Sequence, residues 1–188
     1  MKTIDAQTYW QTKGVAYFRE LSSFGALADS VIHELLLNGR VIQLDDGEML
    51  YSAGEPAQSF FIILSGIINN YMPRESGGRV LARRHEPGDD MSFIPMIALC
   101  DRPSIAIAEG ETVVVEISAD QFLMLHQQEP DAFGLMLINL VRGTARAFLV
   151  LAKMMAEFDV EQYQAFDQGK ASNAVKAPEK PPADDPYV

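Results

Sequence analysis

The chemistry most readily drawn from this sequence lies in one loop. "PGDDMSFIPMIALCDRPSIAIAEGE" runs from Pro87 to Glu111 and carries a single arginine, Arg102, in a largely apolar stretch. A guanidinium offers five N–H donors in a planar fork, the geometry that cradles a phosphate or carboxylate. Ser104 adds a hydroxyl two residues on. Two readings of Arg102 stay open: a hook for an anion, or a structural or solvated arginine. No second chemistry competes. His33, His85 and His126 are far apart in sequence and fall on different elements, so they do not form the converging His–carboxylate set that a metal needs, and no metal site is expected. The single cysteine, Cys100, rules out a disulfide framework within one chain and reads as a small buried hydrophobe. No nucleophile–base pairing suggests hydrolysis, and the chain reads as a non-enzyme.

The loop must be held by the elements around it. From Arg40 onward, short runs rich in β-formers follow one another: "RVIQL", "EMLY", "FFIILSG", "IINNYM", "RVLARRH", "SIAIAE" and "TVVVEI". Turn signals separate them at Asp46-Gly47, Ala53-Gly54, Ser65-Gly66, Gly77-Gly78 and Pro87-Gly88. Close, regular spacing of this kind predicts an antiparallel barrel or sandwich. Helices flank it. Residues 1–25 predict one or two short helices. "ALADSVIHELLLNG" (26–39) places Leu27, Val31, Leu35 and Leu36 on one face and ends at Gly39, with His33 at the surface. Ser118 and Gln121 stand at capping-box spacing ahead of a further helix.

A long helix follows over 129–163. Asn139, Arg142, Arg146, Lys153 and Glu157 form a narrow polar stripe on it. Leu137, Leu140, Thr144, Ala147, Leu151, Met154 and Phe158 alternate at spacings of three and four, a heptad seam, and Val141, Phe148 and Met155 make a second apolar row. A helix apolar over so much of its circumference needs two partners. The roll supplies one. A second copy of the helix supplies the other, making a homodimer, unless the N-terminal helices cover that face. The remainder, 164–188, carries Pro178, Pro181, Pro182 and Pro186 and predicts a disordered tail.

Composition bounds the partners. The 188 residues carry a net charge of −11, and 48% are hydrophobic. Nucleic-acid binding draws on cations that neutralise phosphates, and Arg79, Arg83 and Arg84 make only a thin basic patch, so no nucleic-acid partner is expected. The N-terminus lacks a signal-peptide core, and no run reaches about 18 uninterrupted apolar residues. A cytoplasmic protein with no membrane partner is the expectation.

"LDDGEMLYSAGEPAQSFFIILSGII" (44–68) resembles the cyclic-nucleotide-binding domain family, through Leu44, Gly47, Glu48, Leu50, Tyr51, Gly54, Glu55, Phe60, Phe61, Ile62, Ile63, Leu64, Gly66 and Ile68. The resemblance covers roughly residues 20–160 and implies a jelly-roll-like β-roll over 26–128, flanked by helices. In many bacterial members of that family the long helix dimerises. Regulators of the catabolite-activator type continue from it into a helix-turn-helix domain, and this sequence does not. In the family's phosphate-binding cassette a Gly-Glu pair precedes a short helix and a Pro-Arg-Ala-Ala/Ser-Thr run. The glutamate takes the ribose hydroxyl; the arginine and the backbone N–H groups after it hold the cyclic phosphate. Here Gly88 and Asp89 match the opening, Ser92 and Phe93 fall on the Gly-Glu pair, and Arg102 falls on the arginine, followed by Pro103 and Ser104. The family often uses a hydroxyl on the long helix to touch the purine, and the resemblance implies Thr144 as the candidate here.

Phe93 cannot accept a hydrogen bond, and Pro103 has no N–H. Each unmet ligand group costs about 1–3 kcal/mol, so the two losses weaken binding by roughly two to three orders of magnitude. Phe93, Ile94, Pro95, Met96, Ile97 and Leu99 would line either a less polar pocket or one collapsed on its own side chains. The resemblance implies a stand-alone, non-enzymatic regulatory sensor that signals through a protein partner and takes cyclic AMP or GMP poorly. The alternative is a ligand-free dimeric scaffold that keeps only the fold.

Overall fold

A computed structural model describes the backbone of residues 1–169 and side chains through residue 156. Contacts divide the chain into a unit Met1–Ala145 and a second that starts at Arg146. The first unit is a seven-stranded antiparallel sheet rolled on itself, with helices against it. In chain order it holds β1 (Lys2–Thr3), α1 (Ala6–Lys13), α2 (Val15–Arg19), a 3-10 turn (Ser22–Phe24), α3 (Asp29–Asn38), β2 (Arg40–Leu44), β3 (Met49–Tyr51), β4 (Ser59–Pro73), β5 (Arg79–His85), β6 (Asp90–Met91), α4 (Phe93–Ile97), β7 (Ile105–Ser118) and α5 (Ala119–Gln128). Helix α6 (Pro130–Gly169) begins in this unit and passes into the second. The strand order is β1-β2-β7-β4-β5, with β3 on β7 and β6 on β4.

β4 and β7 are the spine. The expected breaks within each are absent: "FFIILSG" and "IINNYM" form one strand, as do "SIAIAE" and "TVVVEI". Ser65-Gly66 is a bulge rather than a turn, with the register against β7 shifting on either side of Ser65. The bulge decides which face each residue serves. Before it, Phe60, Ile62 and Leu64 enter a core shared with the helices, while Phe61 and Ile63 enter a second core inside the roll. After the register shifts it is the even-numbered Ile68 that joins the inner core. Both faces are covered, which is why the sequence runs apolar without alternation.

Gly66 makes the bulge possible. Its φ is +81°, and a Cβ there would sit 2.5 Å from the Glu111 carbonyl oxygen and 2.5 Å from Thr112 Oγ1. Thr112 locks the other side, its hydroxyl accepting from the Ile67 N–H at 3.1 Å and donating to the Ile67 carbonyl at 3.0 Å. Gly66→Ala should therefore lower stability by about 2 kcal/mol through strain and collision, read as a lower urea midpoint with unchanged slope. An unchanged midpoint would contradict the bulge's role.

Helix starts follow the sequence closely. Ser118 Oγ accepts from the Gln121 N–H at 3.2 Å and the Gln121 side chain accepts from the Ser118 N–H at 2.8 Å, a complete capping box. Val31, Leu35 and Leu36 of α3 are buried, with Leu27 just ahead of the helix, as the spacing predicts. His33 is half-buried, bonding Gln7 and lying 4.9 Å from the Trp10 ring. Residues 1–25 are not only helical: β1 pairs with β2, and Phe18, Leu21 and Phe24 belong to the helix-side core.

The long helix corrects the expected interface. Leu140 is fully buried in the helix-side core beside Met136, and Leu137 packs against that core. In this unit the predicted seam therefore faces the roll. The open face carries Val141, on the row read as secondary, and Ile138 beside it. Heptad spacing finds two seams but does not say which one meets the roll. In the second unit, Phe148, Leu149, Val150, Leu151, Met154 and Met155 are all exposed. The helix extends to Gly169, six residues past the predicted 163. The Phe158 side chain and residues 170–188 of the predicted tail lie outside the described residues. Within Pro130–Ala156 an 18-residue stretch reaches a mean hydropathy of 1.6 with 11% of it buried, so this helix is long and apolar enough by length and composition alone to cross a membrane.

Candidate functional site

The loop from Gly88 to Ser104 is pinned at both ends. At its start, Gly88 donates to the Ile63 carbonyl at 2.8 Å, and the Gly88 carbonyl accepts from Ser23 Oγ at 2.6 Å and Ser22 Oγ at 2.8 Å. At its end, the Arg102 N–H donates to the Glu55 carbonyl and the Arg102 carbonyl accepts from Gly54, each at 2.8 Å. Between them Ser92 takes φ +64°, ψ 8° and turns the chain into α4. This left-handed conformation suits glycine and strains a serine.

Arg102 is a buried residue whose Nε and Nη2 donors are hydrogen-bonded within the protein. Nε–H donates to Ser92 Oγ at 2.9 Å, and Nη2 donates to the Ser59 carbonyl at 3.2 Å and to Ser59 Oγ at 3.0 Å. Nη1 lies 3.5 Å from Glu55 Oε2. The guanidinium rests 4.7 Å from the Tyr51 ring and 5.0 Å from the Phe61 ring, a cation–π arrangement in the roll wall. The bonds extend outward: the Ser59 hydroxyl donates to Glu116 at 2.7 Å, and Glu116 pairs with Arg40 at 2.6 Å. Ser104 is buried at 4% exposure beside this group. Burial pushes the Tyr51 hydroxyl above its ordinary value, opposed by a bond with Ser104 and by the Arg102 charge.

Phe93 points elsewhere. It is fully buried in the helix-side core, edge-on to Phe60 at 5.4 Å and to Phe122 at 5.7 Å. Met96, one helical turn on, enters the same core. Ile94, Ile97 and Leu99 face solvent, Leu99 at 93% exposure. Cys100 is exposed as well, against expectation. The cause is the same for each: α4 turns one face, Phe93 and Met96, to the core, and Leu99 at φ +53° turns the chain outward. The Thr144 hydroxyl bonds the Leu140 carbonyl of its own helix at 3.5 Å. Arg102, Ser92 and Ser104 are thus brought together, and Phe93 and Thr144 are engaged elsewhere. Sequence reasoning missed Ser59 and the use of Glu55 and Tyr51 as partners of Arg102. Glu55 and Tyr51 stood in the matched motif; nothing marked Ser59.

Residues 41–129 match the sequence family described as the cyclic nucleotide-binding domain. The match covers just under half of the chain. An anaerobic regulatory protein of Aggregatibacter actinomycetemcomitans is 28% identical over 132 residues, 66% of this chain and 51% of that protein, so the chain spans about half the relative's length. The fold agrees. A cyclic nucleotide-binding domain from Methylobacillus flagellatus superposes with a TM-score of 0.71 at 17% identity, over 85% of this chain and 89% of that one. The Thermus thermophilus catabolite activator protein gives 0.62 at 19% identity, over 76% of this chain and 63% of that one.

Two titratable groups of the domain sit beside the cassette's opening. His85 is 5% exposed, and neither ring nitrogen has a hydrogen-bond partner; Asp89 Oδ2 is 4.0 Å from Nδ1. Burial, helped by the Arg83 charge, lowers its pKa to about 4. Asp90 lies against α6, one oxygen 3.5 Å from where a Cβ on Gly143 would stand. Burial raises its pKa to about 6. The signs oppose each other. A base lowered from 6.5 to about 4 contributes stability that is full above 6.5 and lost on acidification toward 4. An acid raised from 3.8 to about 6 loses stability as pH rises through that window. The two contributions largely cancel in the wild type. Asp90→Asn should therefore unmask the His85 slope, with stability rising from pH 4 to 6.5, and His85→Gln the opposite slope. Urea midpoints across that range read both, and two flat profiles would contradict the burial of these groups.

Proposed function

We propose that this chain is a non-enzymatic regulatory module whose cyclic-nucleotide cassette is closed by its own arginine. The observation that carries this is the bonding of Arg102: an incoming phosphate would have to displace Ser92, Ser59 and Glu55 from the guanidinium. Pro103 offers no N–H in compensation, and Phe93 supplies no acceptor for a ribose hydroxyl. The inner core, with Tyr51, Phe61, Ile63, Ile68 and Met91 all buried, supports the same reading. Signal then passes through a protein partner rather than a cyclic nucleotide. The packed interior also favours the second reading, a ligand-free scaffold that keeps the fold and the helix.

The module pairs with a second copy through α6. Ile138, Val141, Ala145, Phe148, Ala152 and Met155 recur at alternating spacings of three and four, a seam whose large members are 45–67% exposed. The net charge of −11 argues against direct nucleic-acid contact, and the exposed, unpaired Cys100 fits a reducing cytoplasm. Titration calorimetry with cyclic AMP and cyclic GMP tests the reading. No heat at millimolar ligand is expected; micromolar binding abolished by Arg102→Ala would overturn it.

A further inference from the structure

Helix α6 past Ala145 carries more exposed apolar surface than a pair of helices can cover. Arg146 and Lys153 are the polar positions between residues 146 and 156. One apolar seam is Phe148, Ala152 and Met155, with Leu149 on its flank. A second is Ala147, Leu151 and Met154, with Val150 on its flank. Phe148, Met155, Leu151 and Met154 are exposed by 67%, 61%, 54% and 50%. At 3.6 residues per turn the two seams point about 100° apart. Arg146 and Lys153 point roughly opposite the midline between them.

We infer that this segment assembles into a four-helix cluster, a dimer of the dimers proposed above. Knobs-into-holes packing needs a partner of matching heptad repeat, and α6 itself supplies that repeat on both seams. The angle sets the number of helices. In a square bundle each helix meets two neighbours about 90° apart, whereas a triangle asks for about 60°. About 100° fits the square and turns both cations outward. A lipid surface is the competing occupant, and the repeat of three- and four-residue spacings on both seams favours a copy of the helix instead.

The inference rests on the first pairing, and sedimentation equilibrium of the full chain over a concentration series separates the two. The expected wild-type mass is four times the 20.8 kDa chain. Leu151→Glu with Met154→Glu should halve it, leaving the dimer. Neither residue belongs to the Met1–Ala145 unit, so its thermal transition, followed by circular dichroism, should not move. A wild-type mass of two chains at every concentration would overturn the tetramer and leave the dimer standing; a mass of one chain would overturn both. A double variant that stays tetrameric would also overturn it. So would flotation of the wild type with phosphatidylcholine–phosphatidylglycerol vesicles while its mass in their absence never exceeds two chains.

Discussion

Phe93→Glu, which restores the family's acidic residue at that position, should unfold the cassette rather than open it. The ring is fully buried against Phe60 and Phe122, and Phe122 in turn meets Phe133 of α6 at 4.7 Å. Removing a buried phenyl ring costs about 3–5 kcal/mol. A carboxylate in its place adds the penalty of an unpaired polar group in an apolar core. The expected loss is about 4 kcal/mol or more, read as a large fall in the urea midpoint, with no gain of cyclic AMP binding. Phe93→Leu should lose only about 1–2 kcal/mol, because shape is partly kept. A Phe93→Glu protein of near wild-type stability that binds cyclic nucleotide would mean the ring merely occupies an open pocket.

Arg102→Ala should be the second large effect. It leaves the Ser92 and Ser59 hydroxyls and the Ser59 carbonyl short of a donor inside the roll wall. Glu55 is half exposed and regains water. Each buried partner left unpaired costs about 1–3 kcal/mol, and the three share one site, so about 3 kcal/mol is expected in all. Arg102→Lys should recover little, since an ammonium cannot reach Ser92 and Ser59 with one planar fork. A double-mutant cycle with Ser92→Ala separates the roles. Coupling of about 1–2 kcal/mol is expected for a bonded pair. Destabilisation below about 0.5 kcal/mol would instead mark a solvated arginine.

Much of this fold was legible in the residue order, because its signals are local. The Ser118–Gln121 box, the apolar face of α3 and the β-rich runs each depend on neighbours within a turn or a strand. Ser65-Gly66 misled for a physical reason: glycine at positive φ serves turns and bulges alike, and only the partner strand tells them apart. α6 misled because both of its seams are apolar, and burial of Leu140 depends on where the roll lies. At the cassette, the losses at Phe93 and Pro103 were visible as chemistry. The fate of Arg102 was not, since Ser59 comes from a distant strand and joins it only in three dimensions.

The central claim is that the Nε and Nη2 donors of Arg102 are bound internally and are not free for a phosphate. Nitrogen-15 correlation spectra of arginine Nε–H groups report this directly, with the Arg102 signal identified by its loss in Arg102→Lys. A signal protected from solvent exchange, and unmoved by millimolar cyclic AMP or cyclic GMP, is the predicted result. An Nε–H that exchanges freely and then shifts and becomes protected as cyclic nucleotide is added would contradict it.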